Sequence, residues 1–256
     1  MNIGFIGTGN MGGALIEGLS KNNTYSVSVY DIDPAKASRF NNVKIYDSIE
    51  SIASECDALV LTVKPSVYDS VLKILSQIHY KKMLISVAAG ITTSYILSKI
   101  PSAVVIRTMP NTPALVGEGM TLIAASSNKE AILATQNIFS SVGKTVVLPE
   151  NLMEAGTALS GSSPAIVYHM IDVMANNALS YGIPKELAIS IAAQVLYGSA
   201  KMVLSSSEHP ASLTDKVCSP GGTTIAAMKT LAQKGFEDAI HSAMDACVEK
   251  TFKMKK

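Results

Sequence analysis

The sequence predicts an N-terminal α/β domain built as a doubly wound parallel sheet over residues 1–150, followed by an all-α C-terminal domain over residues 151–256. Three observations carry this reading. Short β-rich runs alternate with amphipathic stretches up to about residue 150, and a glycine turn joins the first run to the first helical stretch. After Pro149 strand signals stop, and Ala, Leu, Ile and Met recur at helical spacing. At 256 residues the chain has room for two modest domains with cores of their own.

The expected strands are residues 3–6, 26–30, 43–46, 59–63, 83–87 and 104–106. Ala58-Leu59-Val60-Leu61-Thr62-Val63 is almost continuously apolar, as a parallel strand covered on both faces should be. Helices are expected at 10–21, 34–40, 67–78, 93–97 and 129–139, several opened by Pro, Ser or Thr. In the second half, Pro164 and Pro184 mark places where helices restart, Gly182 a stop and Ser205-Ser206-Ser207 a break. One more helix is expected over 225–232, and Lys253, Lys255 and Lys256 suggest a solvated, frayed end.

Composition excludes several function classes. Apolar residues make up 48% and charged residues 16%, against roughly 25% charged in typical soluble domains, so a disordered chain is ruled out and extra buried surface between subunits is indicated. A net charge of +1 provides no basic field for nucleic acid or an anionic membrane. No stretch approaches about 18 unbroken apolar residues, so no membrane span is expected. The N-terminus enters a strand at once, without the basic and apolar regions of a secretory signal. Cys56, Cys218 and Cys247 form no Cys-x-x-Cys pair, and His79, His169, His209 and His241 lack ligand spacing. Neither a metal site nor a disulfide framework is expected, and a cytoplasmic location fits.

Gly7-Thr8-Gly9-Asn10-Met11-Gly12 follows the first strand and opens the first helix, the setting of a Rossmann-type dinucleotide turn. Gly7 allows the turn, Gly9 lets backbone approach a pyrophosphate, and Gly12 lets helix pack on strand. Asp31, at the end of the second strand, leans toward a ribose 2′-hydroxyl and thus NADH. Asp33 before Pro34 is placed to cap a helix, and Lys36 or Arg39 can swing toward a phosphate, so the coenzyme stays NADPH or NADH. Val63-Lys64-Pro65 closes a central strand at the carboxyl edge, where Lys64 is either a cofactor contact or a surface lysine. Arg107-Thr108-Met109-Pro110-Asn111-Thr112-Pro113 is a proline-fixed loop at the same edge. Ser160-Gly161-Ser162-Ser163-Pro164-Ala165 marks either close backbone approach or a helix crossing. Cys218-Ser219-Pro220-Gly221-Gly222-Thr223-Thr224 precedes a helix, and a glycine-flanked, hydroxyl-bearing helix start suits a carboxylate. Cys218 has no base near it in sequence and reads as an inert buried thiol.

Gly7 to Gly12, Val63-Lys64-Pro65, Ser86-Val87-Ala88-Ala89-Gly90-Ile91, Met109-Pro110-Asn111-Thr112-Pro113 and Val217 to Thr224 together resemble the pyrroline-5-carboxylate reductases over essentially the whole chain. The resemblance implies reduction of 1-pyrroline-5-carboxylate to proline by NAD(P)H, the last step of proline synthesis. It implies coenzyme binding by the glycine loop and Val63-Lys64-Pro65, with Asn111 near the nicotinamide end. It implies a substrate site of Val217, Ser219, Gly221, Gly222, Thr223 and Thr224, in which Thr224, Ser219 and Glu208 serve the chemistry. It also implies a homodimer through the helical domain, in some relatives a ring of dimers. Two departures stand out: Ser163 and Ile166 replace a glycine and an aromatic common in relatives, and Asp31 stands where many relatives lack an acid. Hydroxyacid dehydrogenases share the two-domain plan but use a lysine about six residues after the small-residue turn, where this chain has Val167.

Overall fold

Among the described residues, 1–21 and 24–256 of the computed structural model, eight strands form one sheet. They are β1 (Asn2–Ile6), β2 (Ser26–Tyr30), β3 (Lys44–Ile45), β4 (Ala58–Leu61), β5 (Met83–Ser86), β6 (Val104–Met109), β7 (Gly119–Ala124) and β8 (Gly143–Leu148). Their order is β3-β2-β1-β4-β5-β6-β7-β8. β1 pairs in parallel with both β2 and β4, so the winding reverses there, and the crevice at the carboxyl ends of these strands is where such sheets bind ligands.

Helices α1 (Asn10–Ser20), α2 (Pro34–Ala37), α3 (Ile49–Glu55), α4 (Tyr68–Gln77), α5 (Thr93–Lys99) and α6 (Lys129–Phe139) fill the connections. Alternate residues of β4 enter different cores: Leu59 and Leu61 pack with Ile52, Tyr68 and Leu72, while Val60 packs with Phe5, Leu15 and Phe139. Burial on both faces is why β4 reads as an unbroken apolar run.

The sequence reading omits α3, β7 and β8. Ser and Glu interleave with the three buried residues of α3, Ile49, Ile52 and Ala53, over a single pair of turns too short to show a period. β7 runs antiparallel to β6, through Thr108↔Ile123 and Met109↔Leu122, and β8 runs parallel to β7. Glycine starts and interspersed Thr and Lys disguise both strands, and β8 is a half-exposed edge. The C-terminal end is not frayed as expected. Lys256 N–H donates to the Gly90 carbonyl at 2.7 Å, Thr92 Oγ1 donates to the Lys256 carbonyl at 2.7 Å, and Lys256 Nζ lies 3.1 Å from Asp69. These main-chain bonds fix a segment whose lysines alone suggest solvation.

Residues 1–164 with 247–256 form one compact unit and residues 165–246 a second. After α7 (Met153–Gly156) and a π-helical turn (Thr157–Ser162), the remaining helices are α8 (Ser163–Ser180), α9 (Lys185–Ser205), α10 (Pro210–Val217), α11 (Thr223–Gln233) and α12 (Phe236–Lys253). Within residues 165–246 only Ala175, Ala188 and Ala192 are fully buried, while Tyr181 and Leu204 are 80% and 85% exposed. α9 is long and apolar enough, by length and composition, to cross a membrane, with a mean hydropathy of 1.5 and little of it buried. Counting unbroken runs passes over this helix, because Ser190, Gln194, Gly198 and Lys201 interrupt the run while the residues between them keep its mean high.

Candidate active site

The chain leaves β1 through Gly7, whose N–H donates to the Tyr30 carbonyl at 2.8 Å and ties the turn to the end of β2. A Cβ on Gly12 would stand 2.5 Å from the Gly7 carbonyl oxygen, so α1 closes onto the turn only with glycine there. A Cβ on Gly9 would meet no protein atom within 4 Å. It would project into open space at the N-terminus of α1, where no side chain caps the first-turn N–H groups. A cradle that a methyl would fill, faced by free N–H donors, fits a dinucleotide pyrophosphate. Thr8 is buried, Asn10 exposed, and Met11 packs onto the core beneath.

Asp31 is joined to this loop directly. Its Oδ2 accepts from Thr8 N–H at 2.7 Å and Thr8 Oγ1 at 2.8 Å, and its Oδ1 accepts from Asp33 N–H at 3.0 Å. Partial burial raises the carboxyl's pKa, but the bonds from Asp33 and Thr8 outweigh it and hold Asp31 below the usual carboxylate value. Asp33 caps α2 by accepting from Ala35 N–H. Arg39 Nη2 donates to the Thr8 carbonyl at 2.7 Å, so it clasps the glycine loop from outside.

Val63 packs on the core below the turn, Lys64 is exposed, and Pro65 opens a 3₁₀ turn over Pro65–Val67. Asn111 is used at both ends: Nδ2 donates to the Ser160 carbonyl at 3.0 Å, and Oδ1 accepts from Met120 N–H at 2.9 Å. The Ser160 segment proves to be the π-helical turn. A Cβ on Gly161 would lie 2.8 Å from Met109 Cε, so close backbone approach is realised there.

In the second unit, Gly221 takes φ +71°, and Gly222 N–H donates to the Ser219 carbonyl at 3.0 Å, closing a turn that delivers Gly222 as N-cap of α11. No side chain caps this start either. By contrast α3, α5, α6 and α10 begin under Ser48, Thr92, Asn128 and His209, each accepting a main-chain N–H. The helix begins two residues before the expected 225, so Thr223 and Thr224 lie in its first turn. Thr224 and Val217 line an open cavity of about 440 Å³ with Met202, Thr214 and Lys216. Glu208 pairs with Lys216 at 2.6 Å, which brings it to the rim of that cavity. Ser219, Gly221 and Thr223 are exposed beside it, and Cys218 is half-buried rather than enclosed in the core.

Sequence comparison decides the family. Residues 150–254 match the family model described as pyrroline-5-carboxylate reductase dimerisation, and residues 2–90 match one described as NADP oxidoreductase, coenzyme F420-dependent. The Escherichia coli (strain K12) pyrroline-5-carboxylate reductase is 39% identical over 264 residues, covering 99% of this chain and 98% of that protein. The chain belongs to the pyrroline-5-carboxylate reductase family. The Synechocystis reductase is 37% identical over 100% of this chain and 99% of its own length. The solved structure of the Coxiella burnetii pyrroline-5-carboxylate reductase has a TM-score of 0.93 at 30% identity, covering 100% of this chain and 98% of that one. The Plasmodium falciparum pyrroline carboxylate reductase, solved with NADP bound, gives a TM-score of 0.89 at 29% identity, over 100% and 98%. A Mycobacterium tuberculosis 3-hydroxyisobutyrate dehydrogenase aligns at 13% identity and a TM-score of 0.54, a likeness of fold alone. Residues 150–254 match the dimerising part of the family, which supports a homodimer, and the second unit within them exposes apolar side chains such as Tyr181 and Leu204.

Proposed function

We propose that this reductase converts 1-pyrroline-5-carboxylate to proline by hydride reduction of the ring C=N bond, as a homodimer using NAD(P)H. The observation that carries the reading is the pair of glycine-led helix starts, Gly9 before α1 and Gly222 before α11, both left without a side-chain cap in a chain of this family. Each presents free N–H groups to an anion, one for a pyrophosphate and one for a carboxylate.

NAD(P)H, when bound, supplies the hydride. Gly9, Asn10, Met11 and Gly12 offer the N–H groups at the start of α1 to the pyrophosphate on a turn shaped by Gly7 and Thr8, Val63, Lys64 and Pro65 flank it, and Asp31 stands at the ribose. Asn111 lies near the nicotinamide end, its amide holding the loop after β6 through one donor and one acceptor position and keeping a second N–H and a second lone pair for the coenzyme. Gly221 and Thr223 offer N–H groups to the substrate carboxylate, Gly222, whose own N–H closes the turn on the Ser219 carbonyl, sets the helix start between them, and Val217 supplies an apolar wall. Thr224 and Ser219 orient the ring nitrogen, and Glu208, paired with Lys216, sets the charge at the rim. A protonated cyclic imine readily accepts hydride at its C=N carbon, carbon 2 of the pyrroline and carbon 5 of the proline formed, so the residues are needed mainly for orientation. Near-attack positioning can supply roughly 7–11 kcal/mol of the barrier. We place the enzyme in the cytoplasm, in keeping with three cysteines that form no disulfide, and a ring of dimers is the larger assembly the family resemblance implies.

The test is coenzyme oxidation by the purified protein on adding pyrroline-5-carboxylate, with proline measured as product. Coenzyme binding without oxidation of either NADH or NADPH would turn the chain into a binding protein and end the reading.

A further inference from the structure

We infer that Asp31 makes this enzyme prefer NADH, by fixing a carboxylate where the ribose 2′-phosphate of NADPH would have to sit. The inference rests on the reductase reading above and deepens it. Asp31 follows β2 directly, about 20 residues past the glycine turn, where an acidic side chain accepts from a ribose 2′-hydroxyl. Here the carboxylate is built into the loop itself: Thr8 donates twice to Oδ2, at 2.7 and 2.8 Å, and Asp33 N–H donates to Oδ1 at 3.0 Å. It therefore cannot swing away when a coenzyme arrives without releasing three hydrogen bonds. An ionised carboxylate oxygen has two lone pairs, so Oδ1 keeps one for a hydroxyl donor. The depressed pKa keeps the group charged at neutral pH, when a phosphate brings a like charge.

Of the surrounding cations only Lys36 acts on Asp31, as the weakest of the influences on its carboxyl, and the others are held by different partners. Lys36 lies 3.7 Å from Asp33, and Arg39 Nη2 is spent on the Thr8 carbonyl while its guanidinium stacks 4.6 Å from the Phe40 ring centre. Lys44 faces Glu55 at 3.9 Å and the Tyr46 ring. The cavity beside Asp31, about 320 Å³, is walled by Ile32, Pro34 and Tyr46 together with a second carboxylate, Asp47, and no Lys or Arg lines it. A 2′-phosphate entering this space meets two acids and no base on its walls.

Calorimetric titration of the dimer with NADH and with NADPH, paired with initial rates on pyrroline-5-carboxylate, tests this. Like-charge juxtaposition leads us to expect NADH to bind about tenfold or more tightly than NADPH. Asp31→Asn, which keeps an acceptor for Thr8 but removes the charge, should raise NADPH affinity and shrink the ratio; Asp31→Ser should do the same. If Asp31→Ser weakens both coenzymes equally through a disturbed loop, Asp31→Asn decides. Equal or tighter NADPH binding by the native protein overturns the inference while leaving the reductase reading intact, as does a ratio unmoved in Asp31→Asn. Failure to reduce the imine with either coenzyme sinks the reductase reading itself.

Discussion

Arg107 and Glu154 form an ion pair in the interior of the first unit, with Nη2 3.2 Å from Oε1 and side chains only 2% and 0% exposed. The same Oε1 lies 3.5 Å from Lys255, and Arg107 reaches Glu150 at 3.5 Å, whose Oε1 accepts the Thr93 N–H at 2.8 Å. One buried cluster thus joins β6, the start of α7, the first turn of α5 and the C-terminal segment. Breaking such a pair leaves a desolvated charge, whereas replacing both partners by apolar groups does not. Glu154→Ala should lower the stability of the protein by about 3–5 kcal/mol, and the double replacement Arg107→Met with Glu154→Leu should regain most of it. Chemical denaturation of the three proteins reads the difference; a Glu154→Ala protein as stable as the native one would refute the cluster's role.

Gly9 and Gly12 should differ in what their replacement does to stability. A methyl on Gly9 meets open space, so Gly9→Ala should leave stability within about 0.5 kcal/mol of native yet weaken coenzyme binding by tenfold or more. A methyl on Gly12 collides with the Gly7 carbonyl, so Gly12→Ala should lose both stability and coenzyme. Thermal unfolding and coenzyme titration on the same samples separate the cases, and unchanged affinity in Gly9→Ala would speak against the pyrophosphate cradle.

Thr224 lies in the first turn of α11 and on the wall of the neighbouring cavity. Thr224→Ala should reduce kcat by roughly tenfold or more while leaving coenzyme affinity unchanged, the pattern of a group that acts on the substrate in the transition state. Equal losses in both quantities, or none, would remove it from the chemistry.

The second unit exposes Ile191 and Val195 on α9 at 48% and 51%. Introducing a charge with Val195→Glu should convert the dimer to monomer and abolish turnover, because burying an unpaired carboxylate in an interface is heavily penalised. Light scattering coupled to gel filtration measures the mass. A dimeric and active Val195→Glu protein would show that this helix face lies outside the interface.

Much of the fold was legible because its signals are local and periodic. β1, β2 and α1 were placed to within a residue by the apolar runs and the glycine turn between them. β7 and β8 were not, since their Thr, Lys and Gly residues break the apolar pattern and their pairing is fixed only by sheet neighbours. For the same reason Asp31 could be singled out as an acid after β2, but not its attachment to Thr8, which joins positions 23 apart. Glu154 gave no signal at all: a glutamate in a short helical stretch reads as surface, and only its juxtaposition with Arg107, 47 positions earlier, explains why it is buried. The free N–H groups before α1 and α11 were visible in outline as glycines ahead of helices. What the three-dimensional arrangement added is the contrast with α3, α5, α6 and α10, which carry caps.

The most direct test of the account follows the hydride itself. Native protein is given pyrroline-5-carboxylate and reduced coenzyme deuterated at the transferring position of nicotinamide C4, and the proline formed is analysed by NMR. The account predicts one deuterium on carbon 5, with none entering carbon 5 from deuterated solvent when unlabelled coenzyme is used. Proline labelled at carbon 5 from solvent, or carrying no label from the coenzyme, would contradict it.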